Sequence, residues 1–154
     1  MENHTQKLID VLNNLLEINN DRIEGYQRAS KETSEMDLKD LFTQFSATSK
    51  EFKQVLTLEV QKLGGIPIEG TRMTGKLYRA WMDIKAALTN KDRKVILSSC
   101  EYGEDVAVKN YEDALKENSL GSHLYGLISY QYSIIKGEHD KVKKLRDAMV
   151  SVRV

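Results

Sequence analysis

LGGIPIEGTRMTGKLYRAWMDIKAALTNKDRKVILSSCEYGE, residues 63–104, is the stretch on which the fold turns. Gly64 and Gly65 stop a helix, because glycine takes the left-handed cap conformation readily, and Pro67 cannot continue a helix interior. A loop through Gly70 follows. Leu77, Trp81, Ile84 and Leu88 then recur at three- and four-residue steps, with Tyr78, Met82 and Lys85 beside them, which predicts a short amphipathic helix. Asn90 is a good N-cap for the next helix. Residues 64–90 therefore form a long, partly helical connection between two long helical patterns, and such a connection can return the chain along a bundle.

Outward from this stretch the chain reads as helix on both sides. Leu8, Leu12, Leu15, Asn19, Ile23 and Tyr26 share one stripe, with Asp10, Asn13, Glu17, Asn20, Asp21 and Glu24 on the other face, which predicts a first helix over about residues 5–33. Ser34 with Asp37 has the capping-box spacing and opens a second helix, about 36–63, striped by Leu38, Phe42, Phe45, Ser49, Phe52, Leu56, Glu59 and Leu63. Beyond the connection, Leu97, Cys100, Glu104, Ala107, Tyr111 and Leu115 stripe a third long helix, about 91–117. The break Asn118, Ser119, Gly121, Ser122 leads to a fourth, striped by Leu124, Ile128, Gln131, Ile135, Glu138, Val142, Leu145 and Met149. Two helical hairpins with short turns must bury their apolar faces against each other, and the long connection makes the second and third long helices run the same way. The expected fold is all-α: a ferritin-like four-helix bundle with a short extra helix in the crossover, in a single domain spanning residues 1–154.

Composition bounds the partners. A chain of 154 residues can bury a core without disulfides or a structural metal. Lys plus Arg equals Asp plus Glu at 23 each, so no basic excess points to nucleic acid or an anionic membrane. No apolar run approaches the roughly 20 residues that span a bilayer. The single Cys100 forms no internal disulfide, and MENHTQKLID lacks the basic start and apolar run of a secretory signal, so the expected location is cytoplasmic.

DRIEGYQRAS, VQKLGGIPIEGTRMTGKLYRAWMDIKAALTNKD and CEYGEDVAVKNYEDAL, in that order, give the chain a resemblance. It looks like a bacterial ferritin-like family described as a domain of unknown function and typified by a small Pseudomonas protein. The likeness covers nearly the whole chain; its most specific parts are the glycine-rich turn, the helix around Trp81 and the EYGEDVAVKNYEDAL helix. Tyr78 stands where that family's pattern has a histidine. The resemblance implies a ferritin-like bundle with no established activity.

A bundle of this kind invites a core metal centre. Di-iron bundles place one Glu on each of two helices and a Glu-x-x-His pair on each of the other two. Here the histidines are His4, His123 and His139, and the residues three before the last two are Leu120 and Lys136, so no Glu-x-x-His pair exists. A thinner set remains. Glu104 and Glu138 lie on the apolar stripes at similar distances from the turn near residue 121; Glu51 with Gln54 keeps the i, i+3 spacing, Glu17 reaches the same height, and His139 adds one nitrogen. Glu17, Glu51, Glu104, Glu138 and His139 would give an oxygen-rich site for iron, manganese or zinc.

The competing reading is structural. Buried carboxylates are costly unless paired, and Arg22, Lys109 or Lys136 can pair with them, while Glu17 and Glu51 sit off their stripes on a solvated face. His139 then belongs to the polar surface of a helix end rich in Lys141, Lys143, Lys144 and Arg146. Cys100 reads as a small core residue, Gly64-Gly65 as a helix stop rather than a phosphate loop, and the tyrosines as packing residues. The outward side of Trp81 and Tyr78 offers an oligomer contact. Two functions follow. The leading one is a non-enzymatic bundle, stress-associated or an interaction module, with a degraded metal site, no cofactor and a homodimeric or small homo-oligomeric state. The alternative is a metal-binding protein with oxidase chemistry. The first predicts that Glu104→Ala is tolerated or stabilising, the second that it abolishes metal binding.

Overall fold

The computed structural model describes residues 2–70 and 76–152, with side chains described over 4–70, at 79 and over 81–149. Among the described residues five helices follow one another: α1 (Glu2–Glu32), α2 (Met36–Lys62), α3 (Lys76–Asn90), α4 (Arg93–Leu115) and α5 (Gly121–Val152). No strand occurs among the described residues, and no helix there is long and apolar enough to cross a membrane.

Local chemistry sets the helix ends. At the end of α2, Gly64 takes φ 82, its N–H donates to Gln61 O, and the Gly65 N–H reaches back to Val60 O. This paired closure satisfies two orphan carbonyls and ends the helix where glycine costs least. α3 ends in the same way without a glycine: Lys91 adopts φ 55, its N–H donates to Leu88 O, and the Asp92 N–H to Ala87 O. Asn90 therefore closes α3 rather than opening α4, and Asp92 is the cap, its Oδ1 accepting from the Val95 N–H at 3.2 Å. Ser34 is likewise displaced as a cap. Glu35 holds the N-cap position of α2 with no side-chain cap bond, and Thr33 Oγ1 accepts from its N–H.

The apolar residues form two clusters, and their membership gives the directions of the helices. One joins Leu8–Ile18 of α1, Phe52–Val60 of α2, Ala107–Ala114 of α4 and Leu124–Ile135 of α5. The other joins Tyr26 and Ala29, Leu38–Phe45, Ile96–Cys100 and Val142, with Ile84, Ala87 and Leu88 of α3 added. The first halves of α2 and α4 thus share one end and their second halves share the other, so α2 and α4 run the same way and α1 and α5 run against them. Arg93 at the start of α4 pins these two starts together through Glu35 and Asp37, the latter at 2.7 Å.

α1 departs from a two-faced helix. Asn20 and Asp21, expected on its outer face, are buried, and the crossover folds back over Asn20. Asn13 Nδ2 donates to Ile66 O and its Oδ1 accepts from the Ile68 N–H, while Asn20 Nδ2 donates to Ile68 O and Gly70 O. A row of asparagines supplies the hydrogen bonds that an irregular segment cannot make with itself. Trp81 turns inward: it lies edge-on to Tyr26 at 4.6 Å and rests where a Cβ on Gly25 would stand, so it is not the outward contact read from the sequence. The side chains of Leu77 and Tyr78 lie outside the described residues.

Candidate functional site

Between the two apolar clusters lies a polar layer, one side chain from each long helix. Ile18 and Tyr26 of α1 bracket Arg22, Phe45 and Phe52 of α2 bracket Ser49, Cys100 and Ala107 of α4 bracket Glu104, and Ile135 and Val142 of α5 bracket Glu138. Arg22 and Glu104 are each only 1% exposed. The guanidinium grips Glu104 with both arms, Nε to Oε2 at 3.1 Å and Nη2 to Oε1 at 2.6 Å, and Nη2 also donates to Glu138 Oε1 at 2.7 Å. Nη1 donates to Ser49 Oγ at 2.6 Å, and Thr48 Oγ1 donates to Glu138 Oε2 at 2.8 Å. The planar fork suits this two-armed contact, and the cation stands near the rings of Tyr26 and Phe45.

Electrostatics follow from that geometry. Burial opposes the Arg22 charge, but Glu104 and Glu138 outweigh it and hold the guanidinium firmly protonated. Burial raises the Glu138 carboxyl above its ordinary range although Arg22 and Thr48 pull it down. Tyr26 and Cys100 are both raised, first by burial and then by Glu104, so neither supplies an anion. A second polar chain runs beside the layer: Asn19 Nδ2 donates to Tyr111 Oη, and the Tyr111 hydroxyl donates to Gln131 Oε1 at 2.6 Å.

The structure therefore brings together Glu104 and Glu138 of the five residues singled out from sequence, around an arginine. Glu51 is exposed because its neighbour Phe52 takes the core position, and Gln54 is exposed with it. Glu17 is half-buried on α1. His139 is buried, not on the polar surface, but it turns away from the layer, since successive helix residues project about 100° apart. Its Nε2 lies 2.5 Å from Asp105 Oδ1 and its Nδ1 lies 3.0 Å from Asp140 Oδ1. Glu101, one turn before Asp105, completes a group of three potential ligands whose donor atoms lie within 4.8 Å of one another; neither Glu17 nor Glu51 belongs to it.

Sequence reasoning missed Glu101 and Asp105, which lie off the apolar stripe of α4. The available signal was their i, i+4 spacing, which puts both on one flank of the helix. Glu59 is another buried carboxylate, paired with Lys62 and with His123 Nε2 at 3.0 Å.

The family model described as Domain of unknown function (DUF2383) matches residues 7–117. The chain belongs to that family. No curated protein matches it. The DUF2383 match spans Arg22, Ser49, Glu101, Glu104 and Asp105, whereas Glu138 and His139 lie on α5, beyond the matched segment. In this DUF2383 chain the polar layer is thus closed by a helix outside the matched segment.

Proposed function

We propose that this DUF2383 protein is a ferritin-like four-helix bundle in one domain, formed by α1, α2, α4 and α5, that uses an arginine in place of a core metal centre. It acts as a non-enzymatic interaction module, as a homodimer or small homo-oligomer. The observation that carries this reading is the place of Arg22. A fixed cation, 1% exposed and hydrogen-bonded to Glu104, Glu138 and Ser49, fills the space in which facing carboxylates would bridge metal ions. The common direction of α2 and α4, joined by a crossover with its own helix, supports the ferritin-like topology. For self-association, Leu58 of α2 and Tyr125, Tyr130 and Ile134 of α5 give exposed apolar and aromatic surface, with Tyr130 6.3 Å from Phe52.

The test is anaerobic incubation of the purified protein with ferrous or manganous ions, followed by elemental analysis and, on admitting oxygen, by its consumption. The wild type and a Glu104→Gln variant are expected to hold the same metal and to consume oxygen at the rate of the buffer. Oxidation of ferrous iron that disappears in Glu104→Gln would sink the proposal. Light scattering across a concentration series reads the oligomeric state, and a monomer at all concentrations would remove that part.

A further inference from the structure

The second carboxylate group of the molecule differs from the first in the one respect that matters for a ligand: its cation can leave. Glu101 and Asp105 stand one turn apart on α4, facing His139 of α5 across the seam between the helices. Two hard oxygens and one imidazole nitrogen make a set that accepts divalent first-row ions, whereas magnesium and calcium gain little from the imidazole. His139 is 9% exposed, and Asp140 sits against its Nδ1. A carboxylate on the far nitrogen is how ligating histidines are usually oriented, since it leaves Nε2 pointing at the metal with raised basicity. Here Nε2 points at Asp105.

Glu101 shows which group a metal ion would displace. The residue is 9% exposed, and its Oε2, fully buried, is ion-paired with the Arg146 guanidinium, so a metal ion would take the place of that cation. The other arm of that guanidinium rests on Asp147 at 3.1 Å. Arg22 is locked by bonds from three sides, but Arg146 is one-third exposed on the last third of α5 and can turn to solvent while keeping Asp147.

We infer that Glu101, Asp105 and His139 form a binding site for a divalent transition-metal ion at the α4–α5 seam, with Arg146 as the displaceable cation that covers it. Asp140 positions the imidazole rather than ligating.

Zinc titration of the full chain, by calorimetry in the presence of excess magnesium, tests this. One zinc ion per chain is expected, weakened more than about tenfold by His139→Gln and by about tenfold by Asp140→Asn. Arg146→Gln, which removes the competing cation and leaves the ligands intact, is expected to tighten zinc. A cobalt(II) ligand-field spectrum lost in His139→Gln reads the nitrogen ligand directly, and circular dichroism checks that each variant is folded. Zinc binding unchanged in His139→Gln, or weakened rather than tightened in Arg146→Gln, would overturn the site and leave an ordinary histidine–carboxylate cluster. No saturable binding to the wild type would overturn it as well.

Discussion

Arg22 is the residue on which the core charge depends. It faces two carboxylates, so the layer carries one more negative than positive charge when both are ionised, and the raised Glu138 carboxyl is the group best able to lose its charge. Partners in such a network are unequal. Arg22→Met leaves Glu104 and Glu138 facing each other without a cation and is expected to cost about 3–5 kcal/mol in urea denaturation. Glu138→Gln leaves a balanced Arg22–Glu104 pair and should stay within about 1.5 kcal/mol. Replacing Arg22, Glu104 and Glu138 together by apolar residues of similar volume is expected to be neutral or stabilising, because desolvation of the three ions is then avoided. Glu104→Ala is accordingly not the tolerated change that a solvated glutamate would make it. It removes both arms of the fork contact from a guanidinium with no access to water.

At the scale of the element, two changes of the same kind should have opposite signs. Gly25→Ala improves helix propensity by about 1 kcal/mol, but its methyl would occupy the ring of Trp81, which is packed edge-on against Tyr26. A net loss of about 1–3 kcal/mol in thermal denaturation is expected. Lys91→Gly relieves a non-glycine residue at φ 55 in the closing turn of α3 and should stabilise by about 0.5–1 kcal/mol. The pairing of Arg93 with Asp37 gives a pH signature. The Arg93 hydrogen bond holds the Asp37 carboxyl below its ordinary range, so the contribution of the pair is complete above the unfolded pKa of about 3.9 and is lost as pH falls below it through the folded value. Both side chains are partly exposed, so Asp37→Asn should cost no more than about 1 kcal/mol at pH 7. The difference in melting temperature between Asp37→Asn and wild type should vanish at the acid end of the titration.

For the whole molecule, α5 is as necessary as the four helices before it. The matched family segment stops at residue 117, yet Ile128, Ile135, Glu138 and Val142 of α5 pack into the apolar clusters and close the polar layer. A chain ending at residue 117 is expected to lose cooperative thermal unfolding and to bind a hydrophobic dye, because the faces of α2 and α4 that cover α5 would meet water. A cooperative, native-like transition of that fragment would show that α1 to α4 hold the core alone. The crossover matters at the same scale. Its backbone is held by Asn13 and Asn20, so it covers α1 as well as carrying the chain between α2 and α4.

The sequence by itself determined the elements and their buried faces. The stripes of α2, α4 and α5 hold the buried positions, including Ser49, Glu104, Gln131 and Glu138, because a 3.6-residue period is a property of the chain that survives any arrangement of helices. Gly64 ended α2 as read, since a left-handed cap depends on one residue's own conformational energy. Only the tertiary structure decided what those polar stripe residues meet. Arg22 lies between the two faces assigned to α1, and its choice of Glu104 and Glu138 over solvent depends on three helices brought to one height. The same holds for Asn20, covered by a loop more than 40 residues away in sequence, and for Trp81, turned inward by a glycine on another helix. His139 was visible as a ligand type, but its partners Glu101 and Asp105 were not. Ligand convergence depends on the rotation of α4 against α5, and periodicity fixes which face of a helix is buried without fixing which neighbour it is turned toward.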